Sequence, residues 1–393
     1  MGSKANELVG PVHNTHLTTI RRCSKKFDYA FIQGIQPITP SLPLARGIWL
    51  HYCLQAQFLR WGIQDKTLLF TPEDIHVDGL GKLAIDAKNL RMVGFEDDNE
   101  PIFYDLSAAG MLKLLTEGIW EQLFPQEHEK YTEDGATLPE ATRKILEEYF
   151  YYWKDKYTDR DFEILLVEHT WQREHKGVEF EGTLDYVIRH KSSGRIICGD
   201  WKSTKSEPDP EYKFMESQLN LYAWGIAPLL VELGVDRKAV ENIAVEFDYL
   251  STKLPTKPQQ NQDGSLSKRK INTTYLTLTR ALKEYGLKWS KEQVEEFLAN
   301  NSREFFSCKP FPRSKRVVKT LLDENVADSE LIVRATDTPK TITRTRTKNC
   351  KFDCDFLSLC KGELYGHNVS HIRKTEFEPR QNTHAGVVEK DNE

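Results

Sequence analysis

Apolar positions recur at helical spacing from Leu44 to Trp61, predicting a helix that is apolar around most of its circumference, with His51 near its middle. Ile20, Phe27 and Ala30 predict a shorter helix before it, and Pro37, Pro40 and Pro43 break the chain between the two. From Gly62 to about Thr137 the pattern is mixed: a strand pair is expected near Leu68 to Phe70 and Leu90 to Phe95, then a helix from Ala108 to Leu123. Leu138 to Tyr152 reads as an amphipathic helix whose end runs Phe150, Tyr151, Tyr152, Trp153. Aromatics at such spacing serve a core more often than they stack on unpaired bases. The next stretch has β character: strands Phe162 to Thr170, Gly182 to His190 and Arg195 to Lys202, a helix Lys213 to Leu233 bounded by Pro208, Pro210 and Gly234, and a strand Val240 to Leu250. That order predicts an α/β fold with a mixed central sheet flanked by helices. Residues 251 to 274 form a polar, hairpin-like insertion carrying Lys268, Arg269 and Lys270, and Ser290 with Gln293 makes a capping box that opens a helix to about Asn300.

Composition narrows the class without fixing it. The 393 residues are 39% hydrophobic and 29% charged, enough for one elaborated domain or two. No apolar run approaches the ~20 residues of a membrane helix, and Met1 to Asn6 contain no apolar signal core, so a cytoplasmic protein with no membrane contact is expected. The net charge of −5 is unevenly spread: Lys309 to Lys351 hold eleven Lys or Arg against five Asp or Glu. A basic arm on an acidic body suits a phosphate track beside a metal site, and a solvated charged loop is the plainer reading. No Gly-x-x-x-x-Gly-Lys-Ser/Thr is present, which excludes a P-loop motor in this chain.

The candidate chemistry lies in Gly182-Thr183-Leu184-Asp185 and, after a Ser192-Ser193-Gly194 turn, in Gly199-Asp200-Trp201-Lys202. Asp200 and Lys202 are two apart and share a strand face; Asp185 sits inside the partner strand. Carboxylates that converge beside apolar strands repel each other unless a cation sits between them, and a hard ion with oxygen ligands such as Mg²⁺ is the usual one. The lysine could orient an attacking water or neutralise a transferring phosphate. An exposed hairpin with a surface Asp–Lys pair is the alternative.

Gly-Thr-Leu-Asp followed by a strand ending Gly-Asp-Trp-Lys resembles the PD-(D/E)XK nuclease superfamily, in the branch of RecB-like nuclease domains, CRISPR-associated adaptation nucleases and phage exonucleases. The resemblance extends to Gln218 and Tyr222, four apart on the predicted downstream helix, to His51 after Gly47 on the upstream one, and to Glu168 one strand before Asp185. It implies a restriction-endonuclease-like core with helical insertions. It further implies a Mg²⁺- or Mn²⁺-dependent deoxyribonuclease, acting as an exonuclease on DNA ends or single strands. His51, Glu168, Asp185 and Asp200 would bind metal, and Asp185, Asp200, Lys202, Gln218 and Tyr222 would serve catalysis. The implied partners are DNA and a helicase or recombination protein, in bacterial or phage-infected cytoplasm. The rival function is a non-catalytic DNA-binding scaffold of a repair complex.

Seven cysteines without an export signal argue against a disulfide framework. Cys350, Cys354 and Cys360 cluster near the C-terminus, where thiolates suit Zn²⁺ or an iron–sulfur cluster and need a fourth ligand. In iron–sulfur members of the branch, one cysteine precedes the nuclease core and three follow it; Cys23 corresponds to the first. The resemblance thus implies a [4Fe-4S] cluster stapling the termini, with Zn²⁺ on the same ligands as the alternative and three buried structural cysteines as the plainer reading. The first gap of the trio is three residues where two is usual, and no proline follows Cys23. The expected division is an N-terminal segment 1–43, a nuclease core 44–250 with an insertion at about 62–160, an accessory insertion and basic arm 251–340, and a cluster-binding segment and tail 341–393.

Overall fold

The computed structural model describes residues 2–38, 42–70, 74–77, 81–95, 101–119, 136–204, 217–302, 305–308, 310–337, 342–348 and 350–380. The chain begins with α1 (Gly2–Val9), α2 (Asn14–Arg22) and the single turn α3 (Ser24–Phe27), which runs into a π-turn at Asp28–Ile32. The one helix expected here is broken at Cys23, whose backbone is extended (φ −164°, ψ 112°). A short strand β1 (Ile35–Pro37) follows, then the long helix α4 (Leu42–Asp65), which exceeds its expected bounds at both ends. Trp49, Cys53, Leu54, Ala56 and Leu59 are fully buried on α4, as its broad apolar surface requires.

Residues 68–70 are not a strand. Leu69 donates its N–H to Leu165 O at 2.9 Å, so this segment lies against the main sheet as a loop. The second member of the expected pair stands as β4 (Arg91–Phe95), which with β2 (Asp74–Val77), β3 (Gly81–Asp86) and β5 (Pro101–Asp105) forms a four-stranded antiparallel sheet. Helix α5 (Ala108–Leu114), N-capped by Ser107, passes into a π-turn at Leu115–Ile119; the rest of the helix expected to Leu123 lies outside the described residues. Helix α6 (Leu138–Tyr152) opens on a capping box between Thr137 and Glu140 and is followed by the short α7 (Lys154–Thr158).

The main sheet is built from β6 (Phe162–His175), β7 (Val178–His190) and β8 (Ile196–Thr204), then, beyond helices α8 (Ser217–Glu232) and α9 (Arg237–Glu241), β9 (Ala244–Ser251). Val240 belongs to α9, so the last strand starts four residues later than its apolar pattern suggests. Pro208 and Pro210, read as the start of α8, fall outside the described residues. Helices α10 (Tyr275–Glu284) and α11 (Lys291–Asn301), the latter capped by Ser290 and Gln293 as expected, lead to β10 (Phe306–Cys308) and β11 (Phe311–Pro312). The polar segment before α10 holds one isolated bridge, Gln260↔Leu266, as its only trace of a hairpin among the described residues. Much of the expected basic arm is helix α12 (Lys315–Asp337), and Arg313 before it is half-buried against backbone, donating to Ile243 O at 3.3 Å. The chain ends in α13 (Cys350–Asp353), α14 (Leu357–Leu364), α15 (Ser370–Glu376) and β12 (Phe377–Pro379).

Strand order is β10-β9-β8-β7-β6, with β8 and β9 parallel and the other pairs antiparallel, so the sheet is mixed. Alternation sorts its residues into two layers. Tyr186, Ile188, Ile197 and Trp201 pack with α4 and α6, whereas Val187, Ile196, Cys198 and Phe247 pack with α8. A third, small core of Tyr29, Phe356, Leu359 and Phe377 joins the two ends of the chain, where β1 pairs with β12.

Candidate active site

Asp185 and Asp200 come from the adjacent antiparallel strands β7 and β8. Asp185 is 6% exposed; its Oδ2 accepts a 2.6 Å hydrogen bond from the N–H of Trp201. Burial pushes its carboxyl up to about 7, and the charge of Asp200 adds to the shift, against the opposing pull of His51, Lys202 and the Trp201 N–H.

Glu168 stands opposite Asp185, between the register pairs Val167↔Tyr186 and His169↔Leu184. It lies just beyond a bulge at Ile164/Leu166 and has φ +47°, in the left-handed region. His51 approaches from α4. Its Nε2 lies 2.8 Å from Trp201 O, which can only accept, so Nε2 donates there, and Nδ1 faces Asp185 Oδ2 at 3.5 Å. One ligand atom each from His51, Glu168 and Asp185 lie within 4.8 Å of one another. An imidazole and two carboxylates are a donor set that fits a divalent cation.

Asp200 is not part of that trio. Its Oδ2 pairs with Lys202 Nζ at 2.6 Å and its Oδ1 accepts from Gln218 Nε2 at 3.0 Å. The same amide nitrogen donates to Tyr222 Oη at 3.1 Å, while Gln218 Oε1 accepts from Lys202 Nζ at 3.1 Å. The four-residue spacing on α8 thus brings Gln218 and Tyr222 over the Asp200–Lys202 face. Gly182 is needed for this approach: a Cβ there would meet the Tyr222 ring at 2.7 Å and the Trp171 ring at 2.9 Å.

Sequence reasoning overlooked two features. The Trp201 backbone positions both Asp185 and His51, and no side-chain pattern announces it. Glu246 and Asp248 are buried on β9, held by tyrosines: Tyr186 donates to Glu246 at 2.8 Å, and Tyr149 and Tyr157 to Asp248 Oδ2. They lie on the opposite face of the sheet from Asp200, which separates them from the site.

The family model of the PD-(D/E)XK nuclease superfamily matches residues 14–361. The chain belongs to this superfamily. Among curated proteins there is no match. A solved structure, of a "Putative exonuclease" from Eubacterium rectale, is similar at 11% identity over 66% of this chain and 76% of that one, with a TM-score of 0.30. Nucleases of the superfamily use divalent metals and act on DNA, and the His51–Glu168–Asp185 group lies within the matched span.

Four of the seven cysteines of this PD-(D/E)XK chain come together from its two ends. Cys23, Cys350 and Cys354 line two adjacent cavities, of about 410 and 170 Å³, and Cys360 lines the smaller. Around them Tyr29 donates to Glu363 at 2.7 Å, Lys25 pairs with Glu363 at 3.2 Å and Lys26 with Asp355 at 3.2 Å. Cys350 is held below the usual thiol range by hydrogen bonds at Thr347, whereas burial raises Cys354. Cys53, Cys198 and Cys308 lie apart; Cys53 and Cys198 are fully buried, as small apolar residues.

Proposed function

We propose that the chain is a Mg²⁺- or Mn²⁺-dependent deoxyribonuclease that works as an exonuclease on DNA ends or single strands. The observation that carries the reading is the meeting of His51 Nδ1, Glu168 and Asp185 beside the Asp200–Lys202 pair. His51, Glu168 and Asp185 would hold the ion, with Asp200 joining when Lys202 releases it. The ion would act as a Lewis acid on the phosphate undergoing attack. Lys202, freed toward the substrate, neutralises charge on the phosphate or orients the attacking water. Gln218 holds Lys202 and Asp200 in register through both ends of its amide, and Tyr222 fixes that amide. Exonuclease action rests on the resemblance of the motifs to the RecB-like branch, as does service to a helicase or recombination partner.

A [4Fe-4S] cluster held by Cys23, Cys350, Cys354 and Cys360 completes the proposal. All four cysteines line connected space, and the choice of the iron–sulfur cluster over zinc rests on the resemblance of the motifs. The core would then span residues 44–250, with the two termini forming the cluster segment.

The deciding measurement is nucleotide release from linear DNA and from a closed circle, with Mg²⁺ or EDTA. Metal-dependent release from the linear form only is expected. Equal attack on the circle would remove the exonuclease reading, and no release from either would remove the nuclease reading.

A further inference from the structure

The aromatic run at the end of α6 is not absorbed by the active site, and its residues divide. Tyr149 is buried in the core, whereas Tyr152 is 50% exposed, and Tyr151 stacks on Tyr275 of α10 with ring centroids 5.7 Å apart and planes at 22°. Tyr151, Tyr152 and Tyr275 line a cavity of about 600 Å³ closed by α11 and by Phe305 and Phe306.

Two further observations mark it as a ligand site. Thr273, 2% exposed, lines it; Ser302 fixes its backbone, donating to Thr273 O and accepting from Thr273 N, and Thr273 Oγ1 has no hydrogen-bond partner among the described residues. A buried hydroxyl left unpaired is costly, and a polar ligand atom would offset that cost. Lys154, exposed at the cavity wall, lies 5.5 Å over the Tyr151 ring. Aromatic faces, a buried hydroxyl and a neighbouring ammonium match a base, its polar edge and a phosphate.

The cavity also sits at the right end of the sheet. Phe306 pairs with Leu250, and Leu250 lies opposite Ser203, one residue past Lys202, on the parallel strands β8 and β9, so the cavity lies at the carboxyl end of these strands, on the sheet face opposite the Lys202 side chain. Ligands of α/β sheets bind outside the carboxyl ends of such strands.

We propose that this cavity takes an unpaired nucleotide of the single-stranded DNA substrate, its base stacked on the Tyr151–Tyr275 wall and its edge bonded to Thr273 Oγ1. The proposal deepens the nuclease reading and rests on it for the identity of the ligand. Base–aromatic stacking corresponds to about 5- to 150-fold in affinity per base.

The test binds the full chain, in EDTA, to oligothymidylates carrying 2-aminopurine at one position each. Quenching at one register is expected. Tyr275→Ala should abolish it and weaken binding about 5- to 150-fold, Tyr275→Phe should keep both, and Thr273→Val should weaken binding with quenching retained. Tyr152→Ala, at an exposed position, should weaken binding without lowering the thermal midpoint, so the readout survives if Tyr275→Ala unfolds. Binding without quenching at any register, or wild-type affinity in both tyrosine-to-alanine variants, would overturn the site. Tyrosine-dependent quenching in a protein that fails to cut linear DNA would uphold the cavity and sink the nuclease reading alone.

Discussion

Lys202 Nζ sits 2.6 Å from Asp200 Oδ2 on the same face of β8, so the lysine holds the carboxylate that would otherwise complete the His51–Glu168–Asp185 group. In the proposed mechanism the pair would act as a latch. Lys202→Ala should cut turnover sharply yet leave Mg²⁺ binding equal or tighter, since a competing cation has gone. Asp200→Asn and Asp185→Asn should each abolish cleavage with the fold intact. Titration calorimetry with Mg²⁺ and single-turnover cleavage separate the two effects; a Lys202→Ala variant that loses metal as fully as Asp185→Asn would show that the lysine supports the ligands.

Gln218 touches three site groups through one amide. Gln218→Ala should lower kcat/KM by about 5- to 150-fold, the equivalent of about 1–3 kcal/mol for lost hydrogen bonds to charged groups. An unchanged rate would make α8 a packing element only.

The pH dependence follows from Asp185. Its carboxyl is raised to about 7 in the metal-free protein, so below that pH a proton competes with the ion and affinity should fall about tenfold per pH unit. The sign for stability is the reverse: a carboxyl whose folded value lies above its unfolded one stabilises at low pH and loses that contribution as pH rises from about 4 to 7. Asp248, raised to about 6 mainly by burial, acts in the same direction but has no link to the ion. The rise in thermal midpoint on adding Mg²⁺ should therefore be small at pH 5.5 and large at pH 8. Equal rises at both would mean that Asp185 is not the ligand titrating.

Glu168 carries strain as well as charge. Its φ of +47° costs a non-glycine residue about 1–2 kcal/mol, and glycine would relieve that at an entropic cost of about 0.5–1 kcal/mol. Glu168→Gly should thus be as stable as Glu168→Ala or more so, while both lose cleavage. Urea denaturation compares them; a markedly less stable glycine variant would place the backbone elsewhere.

The hairpin was readable because its chemistry and its period agree: Asp200 and Lys202 share a face by alternation, and the turn residues fix the pairing of β7 with β8. Gly199 marks another legible position, since a Cβ there would lie 2.0 Å from the Tyr186 ring that reaches Glu246. Other parts depend on long-range contacts that no local pattern carries. Val240 is as apolar in α9 as in a strand, and residues 68–70 are β-like in composition but bond as a loop to Leu165. The four strands β2–β5 are only four to six residues long, so their alternation gives a weak signal. Nothing near Glu168 announces the bulge that swings it opposite Asp185.

The terminal staple gives the last prediction. Cys23 and Cys350 line one cavity although they are separated by nearly the whole chain, and the buried apolar core joining the two ends is small among the described residues: Tyr29, Ala30, Phe356, Leu359 and Phe377, with partly buried neighbours such as Ile35 and Ile372 packed on it. So small a core holds the ends weakly by itself, and a cluster bound by all four cysteines would add its binding free energy to the folding of this segment. Anaerobically purified protein should be brown, absorb near 400 nm and hold about four irons per chain. Cys23→Ser should bleach it and expose residues 350–380 to protease, with the His51–Glu168–Asp185 group still binding Mg²⁺. A colourless protein with one zinc per chain would replace the cluster by zinc on the same four ligands. Full iron in the Cys23→Ser variant would remove the N-terminal ligand altogether, leaving the β1–β12 pairing and the Tyr29–Glu363 hydrogen bond to join the ends.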